Sequence, residues 1–125
     1  YDIKCIDSED FLDWSRATPH PCLALNQDEY GLTTPGVYKE HGVFKMLYSI
    51  RSISKGYRIG YAESPDGLQW TRMDDRVKLD VSAQGWDSEM ICFGNMLRYK
   101  DTTYLFYCGN HYGMGGMGYA ELVGN

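Results

Sequence analysis

Along most of this chain, apolar and polar residues alternate with a period of two, in short runs broken by Gly, Pro, Asn and Asp. That is a β-strand pattern. It predicts four strands in succession over residues 33–39, 43–50, 57–63 and 68–73, termed A, B, C and D. In B, Phe44, Met46 and Tyr48 share one face while Val43, Leu47 and Ser49 share the other; in C, Tyr57, Ile59 and Tyr61 fall together. Both faces are apolar, which predicts a sheet covered on both sides. No long stretch carries a 3.6-residue apolar period, so almost no helix is expected.

The pattern repeats. Residues 1–16 (YDIKCIDSEDFLDWSR) align without a gap on residues 57–72 (YRIGYAESPDGLQWTR), and Gly118-Tyr119-Ala120-Glu121 copies Gly60-Tyr61-Ala62-Glu63. The period of about 56 to 60 residues falls in the range of stacked structural repeats. Residues 2–7 and 11–16 are predicted to copy C and D, and residues 89–100, 103–108 and 117–123 to copy A, B and C. Four-stranded antiparallel sheets, covered on both faces and repeated, predict an all-β fold of β-propeller blades, about two per chain. The expected organisation is one segment over 1–125: strands C-D of a first blade at 1–16, a full blade at 28–73, and strands A–C of a further blade at 86–123. Two blades alone leave an apolar flank bare. The chain is therefore expected to be part of a longer propeller or to form a homo-oligomer, strand D from one N-terminus finishing a neighbour's blade. Two-blade protomers close only into even blade numbers, favouring four or six.

Composition narrows the partners. With 125 residues, 43% of them hydrophobic, the chain can bury a core. A net charge of -5 with scattered Lys and Arg argues against nucleic acid and anionic membranes. No apolar run approaches the ~18 to 20 residues of a membrane span. Cys5, Cys22, Cys92 and Cys108 show no C-x-x-C spacing and read as buried thiols rather than disulfides; His20, His41 and His111 are isolated. No metal or other cofactor is expected. The absence of an export signal and of a disulfide pattern favours the cytoplasm, with a lost targeting segment left open because the chain begins at Tyr1. Gly113-Met-Gly-Gly-Met-Gly118 fits G-x-G-x-x-G, but it precedes a strand rather than a helix, which excludes the dinucleotide reading.

Three segments carry a family resemblance. Tyr57-Arg-Ile-Gly-Tyr-Ala-Glu-Ser-Pro-Asp-Gly-Leu-Gln-Trp70 resembles the strand C-turn-strand D signature of five-bladed β-propeller glycosidases, the superfamily of glycoside hydrolase families 43, 32 and 68 with the related mannoside phosphorylases. Phe44-Lys-Met-Leu-Tyr-Ser49 and Tyr104-Leu-Phe-Tyr107 resemble its strand B, and Gly85-Trp-Asp-Ser-Glu-Met-Ile-Cys92 with Tyr107-Cys-Gly-Asn110 is similar to a subgroup from bacterial sugar gene clusters. The resemblance implies a central pocket at the rim from which the D-to-A and B-to-C connections emerge, and carboxylates contributed by strand A of different blades.

On that basis the candidate acid is Glu89, with Asp28 or Glu29 as the partner carboxylate and Asp87, two residues away on the same predicted face, tuning its charge. The competing reading is structural: Asp87 and Ser88 cap a bend and Glu89 pairs with a base such as Arg51. The usual Glu-Gly-Pro or Glu-Cys-Pro context of the acid is missing. Candidate substrate-binding residues are Arg51 and Lys55 in one B-to-C loop, Asn110, His111 and Tyr112 in the other, and Trp86 as a stacking surface. His111 alone reads more simply as a solvated loop residue. Asp10 and Asp66 lie in C-to-D turns on the opposite rim, where turn amides are their expected partners. The expected function is hydrolysis of a glycosidic bond by carboxylate acid-base chemistry, against the alternative of a non-catalytic, lectin-like module; a remnant that binds nothing is the third possibility.

Overall fold

The computed structural model describes residues 1–123 and is all-β. The last two residues of the expected 1–125 segment lie outside the described residues. Three antiparallel sheets follow one another along the chain. The first pairs β1 (Lys4–Cys5) with β2 (His20–Pro21). The second orders β3 (Glu29–Glu40), β4 (Val43–Ser52), β5 (Gly56–Ser64) and β6 (Thr71–Arg72) side by side, and the third β7 (Cys92–Tyr99), β8 (Thr102–Cys108) and β9 (Met117–Glu121). Two short 3-10 turns, Asp74–Arg76 and Asn110–Gly113, are the helical elements among the described residues.

The expected A-B-C-D and A-B-C sets form in order. The expected strand over residues 11–16 does not, and β1 takes its partner from His20–Pro21 instead. The cause is local. Ser8 Oγ accepts the Phe11 N–H at 3.1 Å, Asp10 Oδ1 accepts the Leu12 and Asp13 N–H groups at 2.8 and 2.9 Å, and Trp14 Nε1 donates to the Phe11 carbonyl at 3.0 Å. Amides used in this way are not free to pair in a sheet. The twin turn repeats the arrangement: Gly67 donates to Ser64 at 2.8 Å, Leu68 and Gln69 to Asp66 at 2.8 and 2.9 Å, and Trp70 to the Gly67 carbonyl at 2.9 Å. Here the expected strand at 68–73 is shortened to Thr71–Arg72 rather than lost: in the first copy Asp13 Oδ1 also takes the Ser15 N–H at 2.9 Å, whereas the twin has Gln69 there and Thr71 pairs with Glu63. The same backbone donors hold both Asp10 and Asp66 below the usual carboxylate range.

The twins differ at three positions, Glu9/Pro65, Phe11/Gly67 and Asp13/Gln69, and the second of these sits at a special backbone angle. Phe11 and Gly67 both take left-handed φ, 62° and 80°. Only glycine does so without steric cost. Gly67→Ala should therefore lower stability by about 1 kcal/mol in urea unfolding, whereas Phe11→Ala, at a site already non-glycine and 81% exposed, should leave the midpoint nearly unchanged.

The sheets stack face on face, and β4 belongs to both interfaces. Met46, Tyr48 and Ile50, with Leu32 and Ala62, pack against Ile3 and Leu23 on the side of the first sheet. Leu47, with Ile59 of β5, packs against Ile91, Tyr107 and Ala120 on the side of the third. This is the two-sided burial that the alternation predicted. β3 and β7 each carry a bulge, between Thr33 and Gly36 and between Cys92 and Asn95, with a left-handed residue inside it: Thr34 at φ 54° and Phe93 at φ 57°. Matching those residues fixes the repeat register, so Asp87 stands where Asp28 does and Glu89 where Tyr30 does.

Candidate functional site

The start of β3, the end of β4 and the start of β5 meet at one rim of the second sheet, and the corresponding ends of β7, β8 and β9 adjoin it. The strand ends place aromatic rings there. Tyr57 lies edge-on to Phe93 and Tyr112, with ring centroids 5.6 and 5.9 Å away, while Phe93 and Tyr112 stack with centroids 6.3 Å apart and planes at 18°. The Arg51 guanidinium sits 4.8 Å from the centre of the Tyr30 ring and 5.7 Å from that of Tyr57. Tyr1 and Tyr57 share a hydrogen bond between hydroxyls, 2.5 Å. Burial, then that bond, raises the Tyr57 hydroxyl above its ordinary range, so it stays protonated.

Tyr112 is held out at this rim by strained backbone: His111 and Tyr112 are consecutive left-handed residues, φ 54° and 58°. Each such residue costs about 1 to 2 kcal/mol. Turn bonds from Gly113 to the Gly109 carbonyl (3.2 Å) and from Gly115 to the Asn110 carbonyl (3.0 Å) hold the loop in place. The rim thus combines a rigid aromatic surface with one guanidinium that, among the described residues, has no carboxylate partner.

The predicted site residues divide. Asp87 and Glu89 do not share a face, because residues 86–89 form a turn rather than the start of a strand. Ser88 N–H and Oγ both reach the Gly85 carbonyl, and β7 begins only at Cys92. Asp87 is buried and accepts the Tyr107 hydroxyl at 3.1 Å. Glu89 points outward, its carboxylate 4.0 Å from His111 Nε2. Arg51, offered as a structural partner for Glu89, lies on the tyrosines instead; Arg58 Nη1 reaches the Glu89 carbonyl at 3.1 Å.

Glu29 is committed elsewhere, in a two-pronged ion pair with Arg72. Asp28 is exposed and accepts Ser54 Oγ at 2.5 Å. Asn110 is buried and fully engaged: its Oδ1 accepts the Glu89 and Met90 N–H groups at 2.8 and 3.3 Å, and its Nδ2 donates to the Gly85 carbonyl and Ser88 Oγ at 3.0 and 3.2 Å. It clamps the turn rather than facing the rim. Trp86 stacks on Tyr107 with centroids 5.3 Å apart and lies over Gly116 and Gly118, so the glycine-rich run gives this indole a bed. Lys55 is exposed in the turn after β4.

The rim therefore holds Arg51, Tyr112, His111 and Glu89 from the predicted set, with Asp28 and Lys55 at the β4–β5 turn on its edge, and adds Tyr1, Tyr30, Tyr57 and Phe93. Two clefts lie elsewhere: one of about 620 Å³ between the second and third sheets, lined by Tyr38, Leu47, Met96 and Leu105 among others, and one of about 410 Å³ beside the turn at 8–17. Among the described residues no group of His, Cys, Asp and Glu is placed to hold a metal.

No family model matches the chain. It is 30% identical over 120 residues to Rv1502 and MT1551, uncharacterised proteins of two strains of Mycobacterium tuberculosis, with 96% of this chain aligned. The chain spans about 40% of the length of these relatives. Among solved structures it is similar to a protein named "Glycoside hydrolase" (TM-score 0.78, 20% identity, 99% of this chain and 36% of that one) and to a protein from a BT0996 RGII complex (TM-score 0.68, 18% identity, 83% and 36%). At these identities the likeness is one of fold, and it gives the chain a glycoside-hydrolase-like fold over that share of each structure.

Proposed function

We propose that the rim formed by Tyr30, Arg51, Tyr57, Phe93 and Tyr112 is a carbohydrate-binding surface, and that the three sheets are successive blades of a β-propeller of the glycoside hydrolase kind. The observation that carries this reading is the aromatic group with a guanidinium that no carboxylate neutralises among the described residues, at one end of the stacked sheets. Aromatic rings with a few placed polar groups are the usual lining of small-ligand sites. The fold likeness adds support for the class of ligand. Leu97, Phe106 and Tyr119 leave the outer face of the third sheet exposed. The equivalent face of the second sheet is covered by the third, so a further sheet of the same repeat, in a longer chain or a second copy, completes the surface.

A second reading, glycosidic bond hydrolysis, rests on Glu89. Its side chain is 67% exposed at the rim, and its carboxylate is free of any Lys or Arg partner among the described residues. It would act as the acid, and with Glu29 held by Arg72 and Asp87 by Tyr107, the second carboxylate would be Asp28 or one from another blade.

Calorimetric titration with pentose and hexose oligosaccharides tests the first reading. Wild type should bind at least one, Arg51→Ala and Tyr112→Ala should each weaken it roughly tenfold, and binding indifferent to both changes would exclude this rim. Turnover of aryl glycosides tests the second: hydrolysis abolished in Glu89→Gln, with sugar binding retained, supports it. Binding without turnover by wild type leaves a lectin-like module.

A further inference from the structure

Cys92 and Cys108 face one another directly across β7 and β8 as register partners. Side chains opposite each other in an antiparallel pair project from the same side of the sheet, with Cα atoms about 4.5 to 5.5 Å apart. That lies inside the separation a disulfide tolerates, about 4.4 to 6.8 Å. Both cysteines are free thiols; Cys92 is fully buried and Cys108 half-buried. The corresponding pair in the second sheet is Thr33 opposite Ser49, and there Ser49 Oγ accepts the Phe93 N–H at 2.8 Å. Cys5 and Cys22 differ: Cys5 is opposite His20, and the two thiols point to different acceptors, Asp7 and the His20 carbonyl.

The geometry points to a redox-active dithiol formed by Cys92 and Cys108, closing to a cross-strand disulfide under a small disulfide oxidant such as oxidised glutathione. The more accessible Cys108 thiolate attacks one sulfur of the oxidant and releases one glutathione thiolate, which takes up the Cys108 proton. The Cys92 thiolate then attacks Cys108 Sγ, releasing the second glutathione, which takes up the Cys92 proton. Two protein thiols become one disulfide, and one glutathione disulfide becomes two thiols. Burial, then the neighbouring Cys108, pushes the Cys92 thiol up to about 11, so the second step accelerates as pH rises toward that value.

The bond would join two segments of the rim. Cys92 precedes the bulge residue Phe93, and Cys108 opens the loop bearing His111 and Tyr112. Closure depends on these two thiols alone, whatever the rim binds.

Peptide mapping after incubation with oxidised glutathione tests it on the unaltered protein. The expected product is a peptide pair linked through Cys92 and Cys108, lighter by two hydrogens and returned to thiols by reductant. The linked product should form faster as pH rises from about 7 to 9, since both steps use a thiolate. Cys92→Ser should leave a lasting glutathione adduct on Cys108, and Cys108→Ser should yield no linked product. Should the variants not fold, the wild-type map decides alone. A stable adduct on wild-type Cys108 without closure, or linkage of Cys5 to Cys22 only, would overturn the inference.

Discussion

Replacing Arg72 by methionine should lower stability by about 3 to 5 kcal/mol at neutral pH. Arg72 Nη1 and Nη2 each lie 2.7 Å from an oxygen of Glu29, Nη2 and Nε reach Asp74 at 2.6 and 2.9 Å, and Nη1 also bonds the Ala24 carbonyl at 2.8 Å. Arg72 and Glu29 side chains are only 15% and 8% exposed. An exposed pair contributes about 0 to 1 kcal/mol; here the loss is large because two carboxylates remain without their cation in a site largely closed to water. The residue also ties β3 to β6, the two edges of the second sheet.

The pH dependence of this pair has a definite sign. Burial acts to raise the Glu29 carboxyl, but the bonds from Arg72 and the Asn26 amide outweigh it and hold the group below its ordinary value. A folded value below the unfolded one stabilises the protein fully above the ordinary carboxylate range, and that contribution is lost as pH falls through the depressed folded value. In Arg72→Met the dependence reverses, since an unpaired buried carboxylate favours its protonated form. Urea unfolding across the acidic range should show wild type losing stability while the variant closes the gap. Parallel pH profiles would show that the pair carries no such coupling.

Gly60→Val should cost about 3 kcal/mol, a loss at the upper end of what overpacking produces. A Cβ at residue 60 would stand 2.5 Å from the Tyr48 ring and 2.8 Å from Asp74 Oδ1. Neither can retreat cheaply. Tyr48 is among the most buried side chains, and its hydroxyl donates to the same Asp74 carboxylate, which also accepts the Tyr61 N–H at 2.9 Å. Gly118, the equivalent residue of β9, supplies an internal comparison: there a Cβ would meet Trp86 Cη2 and Cζ2 at 2.6 Å. Gly118→Val should be comparably destabilising in thermal melts. A loss below about 1 kcal/mol at both positions would contradict the close packing of ring on backbone.

Much of the fold was written in periodicity. The two faces of β4, the order A-B-C-D and the near absence of helix all follow from alternation and repeats, because a two-residue period with both faces apolar has few other solutions. What alternation misses is where a backbone leaves the strand. Residues 11–16 scan as a copy of strand D, yet Ser8 and Asp10 take up their amides in a turn. Residues 86–89 scan as the start of a strand, yet the turn clamped by Asn110 sends Asp87 inward and Glu89 outward. The candidate site suffered most from this, since the shared face of Asp87 and Glu89 depended on a strand being there. Glu29 was drawn away by Arg72, which lies 43 residues further along. Tyr57 was visible as an aromatic opening a predicted strand, whereas Tyr30 comes to the rim because β3 begins at Glu29, ahead of the expected start at residue 33. Phe93 was not visible, because its place at the rim depends on a left-handed bulge that no composition signal announces.

A sugar received by the aromatic rings at one end of the stacked sheets would perturb those rings before any others. The most direct measurement is an NMR titration with pentose and hexose oligosaccharides, following aromatic ring protons assigned residue by residue. Tyr57, Phe93 and Tyr112 should shift on addition of a bound sugar while Tyr104, Phe106 and Tyr119, a second aromatic group on the outer face of the third sheet, stay unchanged. Shifts confined to that second group, or none in either with any sugar, would contradict the account.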